Sequence, residues 1–246
     1  MTTVSVPVKS ETLPRSARKD RRFYVGLSLL MTLMVVLGFW PSYIGPLLRG
    51  SAVRPAVIHY HGAIFAGWMI LLIAQVIFAA RGHLTTHRKL GSIGIVYGGV
   101  VLIMGLIVTF AAPVLHVRAD EWSIDRAAAF IPVALGDMVL FGGFFGGAIA
   151  YRRRPEVHKR LIVLATVALA FAAAGRMIAF IGVLPALVVW LSPLAVAMAY
   201  DRITSRRVHP TYWIGLASLL LLLPRMAAGA SETWMRVGRA ILRALV

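Results

Sequence analysis

Long apolar segments recur along the chain, and the short polar segments between them hold almost all of its charges. A bilayer core of about 30 Å requires roughly 20 apolar residues per helix, and seven segments approach that length. The predicted spans are 23–40, 58–80, 91–113, 127–150, 161–182, 185–200 and 211–228. The pattern therefore predicts an all-α fold, a polytopic transmembrane helical bundle of about seven spans.

Local sequence sets two of the boundaries. Gly182 and Pro185 interrupt an otherwise continuous apolar run, which predicts a tight hairpin between the fifth and sixth spans. The first apolar run continues up to Trp40 and exceeds the roughly 7–15 residues of a cleavable signal peptide, so we interpret it as an uncleaved anchor. The chain then divides into a basic tail over 1–22, a membrane domain over 23–228 and an amphipathic segment over 229–246.

The basic residues predict how the chain is oriented in the membrane. There are 26 Lys and Arg against 9 Asp and Glu, and the net charge is +17. Most of the 26 fall in the N-terminal tail and in the loops on the same side of the membrane. Because cytoplasmic loops carry the excess of Lys and Arg, the N-terminus is predicted to be cytoplasmic and the C-terminus extracytoplasmic. The charge thus favours anionic lipid headgroups at the cytoplasmic face as partners, and not nucleic acid.

Composition removes several classes of chemistry. The chain is 59% hydrophobic and 14% charged, and it contains no cysteine, so disulfides, iron–sulfur clusters and thiolate metal sites are excluded and a metal would take nitrogen or oxygen ligands. All four lysines lie outside the predicted spans, which excludes a retinal Schiff base. No serine lies in a nucleophile-elbow pattern. Whether the chain is an enzyme stays open.

Two ionisable residues stand out because they lie inside predicted spans. Asp137 is the only carboxylate within a span, and Arg176 is the only basic residue within one once Arg225, three residues from the end of the seventh span, is counted with the C-terminal tail. Ionisable groups inside a bilayer are costly and mark candidate functional sites. Their depths differ by roughly 6 Å at 1.5 Å per residue, within the reach of an arginine side chain. We expect Asp137 and Arg176 to be buried and to pair, either to fix helix register or to serve a substrate.

A polar stripe runs along the second span. His61, Phe65, Trp68, Leu72 and Gln75 follow three- and four-residue spacing and therefore share one helix face. A face that combines an imidazole, an indole and an amide is expected to point into the bundle and not toward lipid.

Three histidines lie on the predicted outer side. His59 and His61 begin the second span, and His116 ends the third beside Asp120, Glu121 and Asp125. One hypothesis is a metal site formed by the imidazoles of His59, His61 and His116. The alternative is that these residues anchor the ends of the helices at the interface.

Four histidines lie on the predicted inner side, each among basic residues: His83, His87, His158 and His209. Neutral imidazoles suit haem ligation, with the neighbouring cations pairing the propionates. The candidate cofactor ligands across both sides are His61, His87, His116 and His158, for haem b or a histidine-bound metal. The alternative is that the inner histidines are ordinary loop residues in contact with solvent or headgroups.

An ordered string of motifs covers the chain from about residue 35 to 225: FWPSYIGPLL, HYHGAIFAGWMILLIAQ, THRKLG, RRRPEVHKRLIVLAT, AAGRM and RRVHP. This string resembles a widespread group of bacterial seven-helix integral membrane proteins without an assigned activity. The resemblance implies a multi-pass bundle in the bacterial cytoplasmic (inner) membrane and brings no substrate. The histidine layers also faintly resemble the two-haem transmembrane cytochromes b, although the fourth span here has no histidine.

Three functional hypotheses remain from the sequence. The first is a membrane redox component that binds b-type haem or a histidine-coordinated metal. The second is a non-catalytic accessory subunit of a larger membrane complex, and the third is a small-solute or proton-coupled transporter that uses Asp137 and Arg176. The C-terminal segment is predicted to be an amphipathic surface helix, with Trp234 as its interfacial anchor and Arg236, Arg239 and Arg243 on its polar face.

Overall fold

The computed structural model describes residues 15–52, 54–221 and 223–246, without the side chains of residues 15–19 and 21. Residues 1–14 of the predicted basic tail lie outside the described residues. The helices are α1 (Arg15–Phe39), α2 (Gly45–Leu48), α3 (Ala56–Ala80), α4 (Leu84–Arg118), α5 (Ile124–Ala150), α6 (Pro155–Ile181), α7 (Val183–Ser205), α8 (Pro210–Leu221), α9 (Arg225–Ala228) and α10 (Glu232–Leu245). A π-helical turn, Trp40–Ile44, joins α1 to α2.

Seven helical segments are long and apolar enough to cross a membrane, which confirms the predicted fold class. They consist of α1 with α2, of α3 to α7 taken singly, and of α8 with α9. Their outward faces carry large apolar side chains, including Ile70, Val96 and Val139, which are about 70% exposed. Hydrocarbon solvates such a surface at no cost, whereas water does not. No strand occurs within the described ranges.

Five of the helices form a closed ring. α1 packs on α3 and α6, α3 packs on α4, α4 packs on α5, and α5 packs on α6. Outside the ring, α7 lies on α6 and α1, and α8 contacts α6, α5 and α7. Helices α9 and α10 both pack on α5. Since the chain crosses from end to end at each long helix, the loops 81–83, 151–154 and 206–209 share one end, which we name the basic face. The residues 49–52, 54–55 and 119–123 lie at the other end, which we name the opposite face.

Helix ends differ from the hydropathy boundaries where polar residues continue the helix. The third span was predicted to begin at residue 91, but α4 begins at Leu84 and includes His87. The sixth was predicted as 185–200, whereas α7 extends from Val183 to Ser205 with Pro193 inside it. Backbone hydrogen bonding continues beyond the last apolar side chain, so the spans predicted from hydropathy are shorter than both helices. The predicted hairpin is confirmed: Gly182 (φ +82°) alone separates α6 from α7.

The C-terminal helix docks on α5, and the half-buried Trp234 takes part in this contact. Its role as an interfacial anchor stays a prediction. The Trp234 indole N–H donates to the Ala128 carbonyl oxygen (2.8 Å), and Arg239 donates two hydrogen bonds to Asp125 (2.6 and 2.8 Å). Leu242 is fully buried against the start of α5. The indole and one of the three arginines therefore hold α10 on α5, because the start of α5 offers a carbonyl oxygen and a carboxylate within reach.

Candidate functional site

The centre of the five-helix ring is filled by the polar stripe of α3. Trp68 is 4% exposed, and its indole N–H donates to Thr166 Oγ1 of α6 (3.3 Å). The indole also meets Phe141 and Phe145 of α5 edge-on, with ring centroids 5.2 and 5.5 Å apart. Leu72 on the same face is buried as well. The prediction that this face points inward is therefore confirmed, and the middle of the ring is packed.

Below this layer, Gln75 fixes the ring of His87 at the basic face. His87 lies in the first turn of α4, and its Nδ1 is 3.2 Å from the main-chain oxygen of Gln75. The side-chain nitrogen of Gln75 lies 2.6 Å from the same Nδ1, and its side-chain oxygen accepts from the Gly91 N–H at 2.7 Å. Nδ1 donates to the main-chain oxygen in one tautomer and accepts from the side-chain amide of Gln75 in the other, and only the first leaves the lone pair on Nε2. No hydrogen bond within the described ranges uses Nε2 of His87.

His158 has the same setting in α6. It lies in the first turn of that helix, and its Nδ1 is 2.8 Å from the Ala148 carbonyl oxygen near the end of α5. A carbonyl oxygen only accepts, so Nδ1 carries a proton, and in the neutral ring the lone pair is on Nε2. The rings of His87 and His158 are close enough to interact electrostatically. His87 and His158 therefore both lie at the basic face with Nδ1 beside a main-chain oxygen.

The three-histidine site expected on the opposite face is not formed. In the part of the chain that the structure describes, no group of three or more histidines or carboxylates could hold a metal ion. His59 lies with Nδ1 2.9 Å from the Tyr43 hydroxyl, which ties α3 to the π-helical turn. His116 has a different partner, Glu121, described next. The expectation failed because His59 and His61 point to different sides of α3 and His116 is drawn into its own loop.

His116 holds the loop between α4 and α5. Its Nδ1 donates to Glu121 Oε2 (2.5 Å), and its ring stacks on Trp122 with centroids 4.2 Å apart. Arg54 donates to the other oxygen of Glu121 (3.2 Å). The hydrogen bond from His116 holds the pKa of Glu121 below its ordinary value, and the charge of Arg54 acts in the same direction. His116 therefore anchors the loop and is not free to bind a ligand through Nδ1.

The expected pairing of Asp137 with Arg176 was wrong, because Asp137 pairs with Arg225. Asp137 is buried in α5 (7% exposed), and Oδ1 accepts a short hydrogen bond from the Arg225 guanidinium of α9. Arg225, also 7% exposed, lies over the Phe171 ring at 4.9 Å. The break between α8 and α9 turns the Arg225 side chain into the bundle, so a residue placed at the edge of a span by hydropathy is a buried cation.

Arg176 is not buried as expected, and it faces outward beside α1. Its guanidinium donates to the Ala172 carbonyl oxygen of the preceding turn (2.8 Å) and lies over the Phe39 ring at 4.2 Å. The side chain is exposed at the outer surface of the bundle. Neither the Ala172 carbonyl oxygen nor the Phe39 ring carries a negative charge that would neutralise the guanidinium.

No protein-family model, curated protein or solved structure matches the chain. The functional interpretation therefore depends on the geometry of the described residues.

A second buried ion pair at the basic face was missed from the sequence. Arg160 of α6 donates from Nε and Nη2 to the two carboxylate oxygens of Asp201 of α7 (3.0 and 2.6 Å), and both side chains are nearly fully buried. Arg160 also donates to Glu156 (2.7 Å), and Lys159 bridges Glu156 to Asp20 of α1 (2.9 and 2.7 Å). Hydropathy had assigned Arg160 and Asp201 to loops. Each residue borders an apolar run on one side only, LIVLA after Arg160 and AVAMAY before Asp201, so hydropathy left both outside the spans.

His209 belongs to this network as a helix cap. Its backbone N–H donates to Asp201 (3.1 Å), and its Nδ1 accepts from the Thr211 N–H at the start of α8 (3.2 Å). Burial lowers the pKa of His209, and the neighbouring charge of Arg160 lowers it further. His209 therefore serves α8 locally, which separates it from His87 and His158.

Proposed function

We propose that this multi-pass membrane protein is a redox component that holds one b-type haem between His87 and His158. The observation that carries the proposal is the matched setting of the two rings. Each lies in the first turn of its helix, and each Nδ1, in the tautomer that carries the proton there, donates to a main-chain oxygen of the preceding long helix. Metal-ligating histidines commonly donate their second ring nitrogen to such a group, which orients Nε2 toward the metal. Bound haem supplies one-electron transfer.

The surroundings of the two histidines support a haem site. Helices α4 and α6 both pack on α5 and, within the described ranges, share no extensive interface with each other. A planar group ligated from α4 and α6 would therefore lie against α5 without first separating a packed helix pair. The basic face also carries cations beside each histidine, among them Arg88 and Arg154, which suit the two propionates of haem.

We place the basic face in the cytoplasm and the protein in the bacterial inner membrane. The excess of Lys and Arg in the loops 81–83, 151–154 and 206–209 supports this orientation. In that orientation the proposed haem lies near the cytoplasmic surface, where a soluble electron donor or acceptor could reach its edge. Anionic headgroups would bind the same loops.

The optical spectrum of the purified protein tests the haem directly. The full chain, expressed in haem-replete cells, should show a Soret band and a reduced-minus-oxidised difference spectrum of the b type. His87→Ala and His158→Ala should each lose the bound haem, because one axial ligand is removed. His83→Ala is the matched control from the same face, and it should keep the spectrum. A folded wild-type protein without a Soret band would show that the haem assignment is wrong.

An accessory role in a larger membrane complex is the second candidate, and one observation favours it. Gly143 and Gly146 lie on the outer surface of α5, and a Cβ added at either would meet no atom within 4 Å. Small residues on one helix face let another helix approach closely in lipid, and these two glycines are about one turn apart. Co-purification of a partner subunit in mild detergent that is lost in Gly143→Ile would support this role.

Transport is less favoured by the geometry. A solute or proton path needs a hydrated ionisable group at depth. The two buried aspartates, Asp137 and Asp201, are both engaged by arginine. The ring interior between the two faces is filled by Trp68 and its aromatic neighbours.

A further inference from the structure

Arg176 carries a positive charge at membrane depth with most of its donors unused. A guanidinium has five N–H donors, and the described residues give Arg176 one hydrogen bond, to the Ala172 carbonyl oxygen. No carboxylate within the described ranges forms an ion pair with it. It lies five residues before the end of α6 at Ile181, about 7.5 Å below that end at 1.5 Å per residue. A charge held there without an anion is costly in hydrocarbon.

His61 presents a second unsatisfied group at the same level. Its Nδ1 is buried and has no hydrogen-bond partner among the described residues. His61 lies five residues after the start of α3 at Ala56, so its depth below the opposite face equals that of Arg176. The His61 ring lies tilted against the Phe65 ring, with centroids 4.2 Å apart and planes at 40°, and is within electrostatic range of Arg176.

Helix α1 brings these two groups together. It packs on both α3 and α6, and Gly38 allows the α1 backbone to lie directly on Ala173 of α6. Phe39, the last residue of α1, lies beneath the Arg176 guanidinium at 4.2 Å. The end of α1 therefore places an apolar ring directly against the Arg176 guanidinium, between the two helices that carry Arg176 and His61.

We infer that Arg176 and His61 form a binding site for an oxyanion, a phosphate or carboxylate group, near the opposite face. The oxygens of such a group accept hydrogen bonds from the unused N–H donors of Arg176. The planar guanidinium is well suited to bind an oxyanion through two parallel hydrogen bonds. It also accepts a hydrogen bond from His61 in the tautomer that carries the proton on Nδ1. One ligand satisfies both groups, and this site is independent of the proposed haem at the basic face.

Two sources could supply the oxyanion: the headgroup phosphate of a phospholipid in the surrounding leaflet, or a free anion that enters from the aqueous side. The exposure of Arg176 at the outer surface of the bundle leaves it accessible to a lipid headgroup. An arginine side chain at a depth of about 7.5 Å can also extend its guanidinium to the membrane interface. The probes below separate the two sources.

The test measures ligand binding to the full chain, purified in a maltoside detergent and a phosphate-free buffer. Phosphatidylglycerol and diacylglycerol with identical acyl chains are added separately, and binding is counted by native mass spectrometry and by the thermal midpoint. Inorganic phosphate is the third probe. Binding of phosphatidylglycerol and not of diacylglycerol assigns a headgroup phosphate, whereas a response to inorganic phosphate assigns a free oxyanion. Wild-type protein that responds to none of the phosphate-bearing probes overturns the inference.

The matched variants are Arg176→Gln and Arg126→Gln. Arg126 lies at the same face and is stacked over an aromatic ring at 4.8 Å, as Arg176 is. Arg176→Gln should weaken binding at least tenfold, His61→Phe several-fold, and Arg126→Gln not at all. Equal binding by Arg176→Gln and Arg126→Gln overturns the inference.

A measurement on the wild-type protein keeps the test decisive if Arg176→Gln does not fold. Phenylglyoxal modifies accessible guanidinium groups, and peptide mass spectrometry reports each arginine separately. The bound probe should protect Arg176 and leave Arg126 labelled as before. Equal labelling of Arg176 with and without probe overturns the inference.

Discussion

Asp137 of α5 accepts a hydrogen bond from Arg225 of α9 across 88 residues of sequence, and both side chains are buried. This pair joins the fourth predicted span to the break in the seventh. It fixes α9 against α5 at a level where neither charge has access to bulk solvent.

Loss of either member of this pair should destabilise the protein strongly. Asp137→Asn and Arg225→Gln should each cost on the order of 3–5 kcal/mol, because each leaves a buried polar group without its ionic partner, while Asp137→Leu with Arg225→Met should largely restore stability. Thermal unfolding of purified protein and folded yield measure the effect. Asp137→Leu with Arg176→Met is the control and should not restore it. Equal rescue by both double variants would show that Arg225 is not the functional partner.

The Arg160–Asp201 pair should show a graded response. Asp201→Asn should cost roughly 3–5 kcal/mol, because it leaves a buried guanidinium without its carboxylate. Arg160→Lys keeps the charge but loses the two-point geometry, so a smaller loss is expected. Arg152→Gln, in the exposed loop of the same face, should leave the thermal midpoint unchanged. A loss in Arg160→Lys as large as that in Asp201→Asn would contradict this account.

The spans were predictable from sequence and the ion pairs were not, for a physical reason. Hydropathy reports how much of a helix is apolar, and this is enough to place seven segments such as α3 and α6. Pairing depends on how helices rotate and on what they pack against. Asp137 could reach Arg176 or Arg225 by depth alone, and the choice was made by the break before α9, which directs Arg225 inward.

The contacts of the histidines were likewise only partly predictable from the sequence. The inward face of α3 followed from spacing and placed Trp68 correctly. The partners of His87 and His158 are main-chain oxygens, and a carbonyl oxygen has no sequence signature. The matched anchoring of these two rings could therefore be seen only in three dimensions.

Close packing of α1 on α6 depends on Gly38. A Cβ at this position would lie 2.5 Å from the main-chain oxygen of Ala173, and backbone cannot move aside as a side chain can. Gly38→Ala should therefore cost about 1–3 kcal/mol in thermal unfolding experiments. Gly26→Ala in the same helix has no atom within 4 Å of the added Cβ and should be neutral or slightly stabilising. Similar midpoints for the two variants would argue against this helix contact.

His209 should make stability depend on pH. Its pKa in the folded protein lies below the ordinary value of 6.5, so its contribution is present above pH 6.5 and is lost as the pH falls through the lower folded value. The facing charges are Arg160 and Lys159, which oppose protonation, and Asp201 and Glu156, which favour it.

The variant His209→Asn isolates this effect. Asparagine can accept the Thr211 N–H as a helix cap but does not titrate, so the fall in thermal midpoint between about pH 7 and pH 5 should become smaller. His83→Asn, which changes an exposed histidine at the same face, should leave the fall unchanged. An unaltered pH profile in His209→Asn would refute the assignment.

The orientation of the chain can be tested with reporter fusions. A reporter placed after Val246 should report an extracytoplasmic location, and one inserted in the loop 151–154 should report a cytoplasmic one. Because the loops 81–83 and 206–209 share that face, a reporter in either should agree with the second result. The reversed pattern would move the proposed haem to the outer surface.

The docking of α10 on the start of α5 has a consequence for biosynthesis. The hydrogen-bond partner of the Ala128 carbonyl oxygen, Trp234, is synthesised 106 residues later. The partner of Asp125, Arg239, is synthesised 114 residues later. While the ribosome adds those residues, the first turn of α5 stands at the membrane surface with its apolar side chains uncovered. A chain cut short before residue 232 keeps that surface open permanently, so chains with and without α10 differ in the apolar surface that they expose.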